Sequence, residues 1–536
     1  MRSYSSRRPG IAQNLLTSLL LIVYALPVLL VHPGTQSLIG TDEGYYAQMA
    51  REMLESGHWL GSTFLGGPWF EKPPLNQWLI ASSFHLFGIS EGSARLPSIL
   101  AAVCCVVLTY LIGAQLQVGR RATVAGLILP TMYLWMLYGR QAVQDLILTA
   151  FELFGICCLL FATDPKRKPW AIFWGISIGL GLLTKSTMIL LSVTSVLPWL
   201  LVKNGEHKLL KNPWLYFGVG LGFGLFGIWY LAATQVYGQT VFDQLFGLLL
   251  KLGKQAFHDV GPFYYLWNIP GNTFPWVIFA LGGAWVCWKE RRSEHFLLVS
   301  YPLVLFGLLQ LFSTKEAYYA IQLCPFIALL AGIAIDAMLV REARRTGPAL
   351  AWASFLLGSL GLLLLTASVL LFLFPSWVMG ISEYLPLAAT LGVGWILLFL
   401  AFRNRRLFQP WQALWIICLV GAPWVTLILA GWTTELGNNS PEIKAFNQQQ
   451  LPALVGGKPV YIAYENNGER VSEFIAQAFY TPHPATPALN AELIIKNVPK
   501  AYWWLSPETQ EALKKANFTY RSLSAPVKGW VLGVGE

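Results

Sequence analysis

The sequence predicts a polytopic α-helical membrane protein carrying a small α/β segment at its C-terminus. Of its 536 residues, 55% are hydrophobic and only 12% charged, whereas a soluble domain carries about a quarter charged residues, so the chain must use lipid as its solvent. The apolar residues fall in long runs separated by short basic clusters. Beyond about residue 432 the runs stop and the composition turns polar and mixed.

Only helices satisfy their backbone inside hydrocarbon, and a crossing needs about 17 or more mainly apolar residues. Such runs lie near 11–31, 95–116, 122–138, 146–162, 169–184, 186–202, 214–236, 273–288, 295–312, 319–340, 349–374, 384–402 and 411–431, about thirteen in all. The first follows Arg2, Arg7 and Arg8, but its length and the lack of a small-residue cleavage site predict a retained helix, not a signal peptide. With the N-terminus inside, alternate connections carry Arg120-Arg121, Lys166-Arg167-Lys168, the 203–211 and 289–292 clusters, 341–345 and 403–406, as the positive-inside rule requires. This patterning also accounts for the net charge of +10 without nucleic acid as a partner.

Leu75 to Phe87 is apolar but of marginal length. As a crossing it would turn every later basic loop outward, so it is expected to lie at the outer interface. The odd number of crossings then places the C-terminal segment outside. The expected division is a transmembrane part, 1–432, with an outer juxtamembrane segment at 32–91, and an α/β domain at 433–536. In the latter the pattern predicts helices at 440–450, 470–480 and 507–516 and strands at 460–464 and 501–505. All seven cysteines sit in apolar runs, so neither a disulfide framework nor a zinc ribbon is expected.

This threading collects ionisable residues at one membrane depth, on the outer side. They are Asp42 and Glu43, Glu71 and Lys72, Arg140 and Asp145, Lys185, His258 and Lys315. Each has a plain structural reading. Asp42 and Glu43 suit the first turn of a helix running to about Glu55. Lys185 and Arg140 sit at span ends, where a long side chain snorkels to the headgroups. His258 lacks any local metal-ligand spacing. Taken together they place several cations outside, against the usual bias, beside acids close to the bilayer, where charge is expected to be paired or functional. A buried phosphate or pyrophosphate suits such a set.

The motifs Thr41-Asp42-Glu43 with Tyr45-Tyr46, Phe70-Glu71-Lys72-Pro73-Pro74-Leu75, and Glu91-Gly92-Ser93-Ala94-Arg95-Leu96-Pro97 resemble those of bacterial GT-C membrane glycosyltransferases. These are the relatives of lipid A aminoarabinose transferase and the protein O-mannosyltransferases. Further matches follow in order: the 140–145 segment, the glycine-rich stretch ending at Thr184-Lys185, His258 with Gly261-Pro262, Phe274-Pro275-Trp276, and 313–325 with Tyr318-Tyr319. The chain departs from the family at Asn76-Gln77, where aromatic or small residues are expected, and at Gln322-Leu323-Cys324-Pro325.

The resemblance implies transfer of a sugar from a polyprenyl-phosphate carrier to a lipid A-like or other lipid acceptor, or to a protein, at the outer face of a bacterial inner membrane, with inversion at the sugar carbon. Asp42 is then the expected catalytic carboxylate, with Glu43 beside it. Lys72, Arg140, Lys185 and Lys315 are expected to hold the donor phosphate. Asp145, Tyr45, Tyr318 and Tyr319 are expected to contact substrate, Asp145 also orienting Arg140. Glu71 and His258 are the candidate ligands of a divalent metal ion, Asp42 adding an oxygen. A transporter or flippase of lipid-linked sugars is the alternative, but it should carry its charges near span centres. A scaffold displaying its C-terminal domain leaves the outer charges unexplained.

Overall fold

The computed structural model describes residues 10–116, 119–254, 261–343, 348–374, 382–407, 409–433, 436, 438–465, 470–497 and 500–535. The first apolar run forms α1 (Ile11–Leu29), after which the chain leaves the bundle for α2 (Asp42–Ser56), a hairpin of β1 (Ser62–Phe64) and β2 (Gly67–Trp69), and α3 (Leu75–Phe87). It returns through α4 (Glu91–Gln115), which opens on a reciprocal cap between Ser90 and Ser93. As expected, α3 is not among the helices long enough to cross, and it packs on α2 and α4.

The next crossing is broken. Here α5 (Arg120–Ile128) and α6 (Tyr133–Gly139) meet at a 65° bend next to Pro130. Then follow α7 (Asp145–Ala162), α8 (Ala171–Lys185) and α9 (Ile189–Val202). The chain reverses between α8 and α9 at Ser186, whose φ of 51° breaks the helix. Lys185 meets Asp145 at one end of the bundle, while at the other end Asn212 donates to the Lys168 carbonyl across the loops that follow α9 and precede α8.

A short turn, α10 (Asn204–His207), leads into α11 (Pro213–Tyr237). This helix lies almost backbone to backbone on α8. A Cβ on Gly175 would stand 1.9 Å from the carbonyl carbon of Gly218, and one on Gly179 would stand 2.3 Å from the Gly222 oxygen. Glycines four apart on both helices therefore permit the contact. Beyond it lies α12 (Thr240–Lys254), an outer helix that hydropathy does not announce. Its Val241 and Leu245 pack with Phe70, and Gln244 accepts the Phe70 N–H at 2.6 Å, so α12 braces the Glu71-Lys72 strip.

The bundle closes with α13 (Tyr264–Thr273), α14 (Trp276–Glu290), α15 (His295–Leu311), α16 (Cys324–Ala343), α17 (Ala349–Leu373), α18 (Leu385–Arg403) and α19 (Trp411–Trp432). Among the described residues nine helical runs are long and apolar enough to cross a membrane, ten with the bent pair. One of the nine, Pro165–Val202, is the run that doubles back at Ser186, and α14 and α15 are shorter apolar helices. Basic connections interlock at one end, Arg120 and Arg121 on Asp336 and Arg405 on Glu342.

After α19 come α20 (Pro441–Gln449), α21 (Leu451–Val455), β3 (Val460–Ala463), α22 (Val471–Tyr480), β4 (Pro484–Leu489), α23 (Ala491–Asn497), β5 (Tyr502–Leu505), α24 (Pro507–Lys515), β6 (Tyr520–Ser522) and β7 (Val531–Gly535). The sheet order is β4-β3-β5-β7-β6, with β3 parallel to both neighbours and β7 antiparallel to both of its own. The five expected elements are present. The short α21, β4, α23, β6 and β7 lack a clear two- or 3.6-residue pattern and are additional to those five. This segment rests on the outer loops: buried Arg51 of α2 donates to the Phe479, Thr481 and Pro482 carbonyls, and the Tyr480 hydroxyl accepts from the Leu38 N–H at 2.8 Å.

Candidate active site

At the start of α2 two adjacent acids point in different directions. Successive helical residues are rotated by about 100°, so Asp42 and Glu43 cannot share a face. Asp42 is exposed, yet burial and the charges of other segments act on its carboxyl, as in an open recess. Glu43 is only 1% exposed. Its carboxylate receives the Arg95 guanidinium at 2.9 and 3.0 Å, the Ala142 N–H at 2.7 Å and the Ile39 N–H at 2.9 Å. The expectation that Glu43 joins the chemistry is corrected on this geometry, because both its oxygens are engaged in a buried ion pair.

Arg95 uses its remaining donors on the Pro33, Gln36 and Ser37 carbonyls, at 2.8 to 3.0 Å. It therefore holds the 32–37 strap over the end of the bundle. The signal for it was present in the sequence: an arginine one turn inside an outer helix end runs against the positive-inside bias.

Charges from four other segments surround Asp42. Those of Lys185, Asp145, Lys72 and Glu316 all act on it. Burial raises the Asp42 carboxyl above its ordinary value, while Lys185 and Lys72 pull it back down. Lys72 is lowered to about 8, first by burial and then by repulsion from Lys185, with Glu71, Asp42 and Asp145 opposing. Lys185 Nζ lies 2.5 Å from Asp145 Oδ1 and over the rings of Tyr318 and Tyr319, at 4.5 and 5.4 Å. Tyr318 in turn meets Tyr138 edge-on at 5.6 Å. Tyr45 stacks among Phe64 and Trp69, and buried Tyr46 receives the Gln144 amide at 3.1 Å. Gln144 and Glu316 had not been singled out. Their loops read as connections, and only the fold brings the Glu316 charge to Asp42 and Gln144 to Tyr46.

Three expected members stand apart. Arg140 is 4% exposed and donates to the Val31 carbonyl and Gln36 Oε1, and the charges that reach it are those of Arg95 and Glu43. The expected Arg140–Asp145 pair is not formed, since Asp145 turns to Lys185. Lys315 is buried and gives its ammonium to the Phe312 carbonyl at 2.6 Å. His258 lies outside the described residues, and among those described no three His, Cys, Asp or Glu side chains gather as a metal set. Glu71 and Asp42 alone do not make one.

A family model described as dolichyl-phosphate-mannose-protein mannosyltransferase matches residues 71–230. The chain is 29% identical, over 70% of its length and 70% of the relative's, to undecaprenyl phosphate-alpha-4-amino-4-deoxy-L-arabinose arabinosyl transferase 1 of Pseudomonas fluorescens. It is 27% identical to the Edwardsiella ictaluri transferase of the same name, over 84% of this chain and 82% of that one. The crystal structure of ArnT from Cupriavidus metallidurans in the apo state superposes with a TM-score of 0.77 at 19% identity, covering 98% of each chain. The same protein bound to undecaprenyl phosphate gives 0.78 at 20% identity, over 96% of this chain and 97% of that chain. The chain therefore has the GT-C fold of the ArnT structures and is similar, along most of its length, to transferases named for undecaprenyl phosphate-linked aminoarabinose.

Proposed function

We propose that this chain is a membrane glycosyltransferase that moves a sugar from a polyprenyl-phosphate donor to a lipid A-like acceptor at the outer face of a bacterial inner membrane. The observation that carries the reading is Asp42, an accessible carboxylate in a recess flanked by Lys72 and Lys185. Relatives named as undecaprenyl-phosphate aminoarabinose transferases support the donor class.

In this reading the acceptor oxygen attacks the anomeric carbon from the Asp42 side, and Asp42 takes its proton or offsets the positive charge growing on the sugar. The bond from that carbon to the phosphate oxygen breaks, and the electron pair leaves with the polyprenyl phosphate. Lys72 and Lys185 hold the charge that accumulates there. Asp145 keeps Lys185 pointed inward, and Tyr45, Tyr318 and Tyr319 wall the sugar. Single displacement inverts the anomeric centre. The C-terminal segment forms an outer domain that clamps the strap and α2.

The test is sugar transfer in liposomes by purified wild type and Asp42→Asn, with a pool of polyprenyl-phosphate sugars and candidate acceptors. Product from wild type alone supports the reading. Movement of donor across the bilayer without product, equal in both proteins, would replace it with a transporter.

A further inference from the structure

Two consecutive bundle helices, α14 and α15, lean on different partners. α14 lies on α16, where a Cβ on Gly283 would stand 1.9 Å from the Leu330 oxygen. α15 lies on α9, where the Tyr301 hydroxyl donates to Ser192 at 2.9 Å. The gap between them is an open groove of about 930 Å³, with Leu323, Ile327 and Leu330 of α16 among its lining residues. Leu281 and Leu303, on its two sides, are 70% and 64% exposed. The proposed chemistry makes no use of this groove.

Its two ends differ in chemistry. Tyr265 lines one end and gives its hydroxyl to the Glu316 carbonyl at 3.0 Å, on the side of the recess. Lys203, Arg291, Arg292 and His295 line the other, and among the described residues no acid lines the groove. Glu206 and Glu290, which meet Lys203 at 3.2 Å and Arg292 at 3.4 Å, lie outside its lining. Arg291 is exposed, and among the described residues its guanidinium has no ion pair. His295 is 3% exposed, and its Nδ1 has no hydrogen-bond partner. One turn before Arg291, Trp285 and Trp288 stand 6.5 Å apart, with Lys289 Nζ 4.9 Å over the Trp285 ring. Exposed tryptophans beside cations at a span end mark the depth of the lipid headgroups.

We infer that this groove binds an anionic glycerophospholipid, with its phosphate among Lys203, Arg291 and Arg292 and its acyl chains along α14 and α15. Arginine forks match phosphate oxygens, and the apolar walls match the chains. A zwitterionic lipid would bring its own cation to a mouth that already holds three. A polyprenyl phosphate seated this way would carry its phosphate the length of α14 away from the recess, about 22 Å for 15 residues. The occupant is therefore not the donor in its reacting position, and the inference stands apart from the reaction proposed above. The bound lipid ties α14 to α15 and backs the wall below Tyr265.

The experiment uses the full chain in detergent, stripped of lipid, with three probes: phosphatidylglycerol, phosphatidylcholine of the same acyl chains, and undecaprenyl phosphate. Native mass spectrometry counts retained lipid, and melting curves read its effect. Wild type is expected to retain phosphatidylglycerol in preference to phosphatidylcholine and to melt higher with it. The double variant Arg291→Gln, Arg292→Gln should bind phosphatidylglycerol about tenfold or more weakly. Its lipid-free melting temperature should be unchanged, because both side chains are exposed. Ala284→Phe, which fills the groove and leaves every charge in place, should lower retention as well. Equal retention of the two phospholipids, or unaltered phosphatidylglycerol binding in both variants, overturns the inference. Displacement of phosphatidylglycerol by undecaprenyl phosphate, with both variants losing the latter, also overturns it and gives the groove to the carrier lipid.

Discussion

Asp145 Oδ1 and Lys185 Nζ stand 2.5 Å apart, joining the outer ends of α7 and α8, with both side chains nearly closed to solvent. This pair fixes the reversal after α8 and sets the inner cation of the recess. Removing one partner of a buried pair costs about 3–5 kcal/mol, because the other charge is left uncompensated. Lys185→Met and Asp145→Asn are each expected to lower the melting temperature in detergent and abolish transfer. The double variant should regain much of the stability and none of the activity.

Asp42 and Glu43 should separate cleanly. Asp42→Asn removes an unpaired charge from a crowded recess, so folding should be unchanged or improved while kcat falls about 10²- to 10⁴-fold. Glu43→Ala leaves Arg95 buried without its counter-charge and should reduce the yield of folded protein. Size-exclusion profiles and melting curves of the two variants read this directly.

Arg95→Lys is not a conservative change. The guanidinium reaches Glu43 and three carbonyls at once, a fork that one ammonium cannot reproduce. The expected outcome is a strap that comes loose. Limited proteolysis within residues 32–40 should become faster in the variant, with the bundle helices still intact.

Activity needs Asp42 ionised and Lys72 protonated, which predicts a bell-shaped profile. Burial raises the Asp42 carboxyl, so the acid limb lies above the ordinary carboxylate range. Lys72, lowered to about 8, sets the alkaline limb. Lys72→Arg should move that limb out of the measured range while retaining some activity. Stability follows the same shifts. Asp42 contributes most below its unfolded value and loses that contribution as pH rises through its folded one, whereas the Lys72 contribution is lost as pH falls through about 8.

The sequence by itself determined that the chain is a bundle of long apolar helices ending in a small sheet, and the short list from which the candidate site is drawn. Hydropathy is a local property and basic loops act one at a time, so the ends of α1, α7 and α11 could be read within a few residues. Leu75 to Phe87 was placed outside for the same reason, because charge bookkeeping downstream forbids it to cross. Only the tertiary structure decided which charges meet. Asp42 and Glu43 are neighbours in the chain, yet one faces the recess and the other faces Arg95 from 52 residues away. Asp145 passed over Arg140, five residues back, for Lys185, 40 residues on. α12 stayed hidden because it is amphipathic, with Asp243, Gln244 and Lys251 among its apolar residues, so a search for uniformly apolar runs passes over it. Pairing energy depends on distance and burial in three dimensions, and spacing along the chain carries neither.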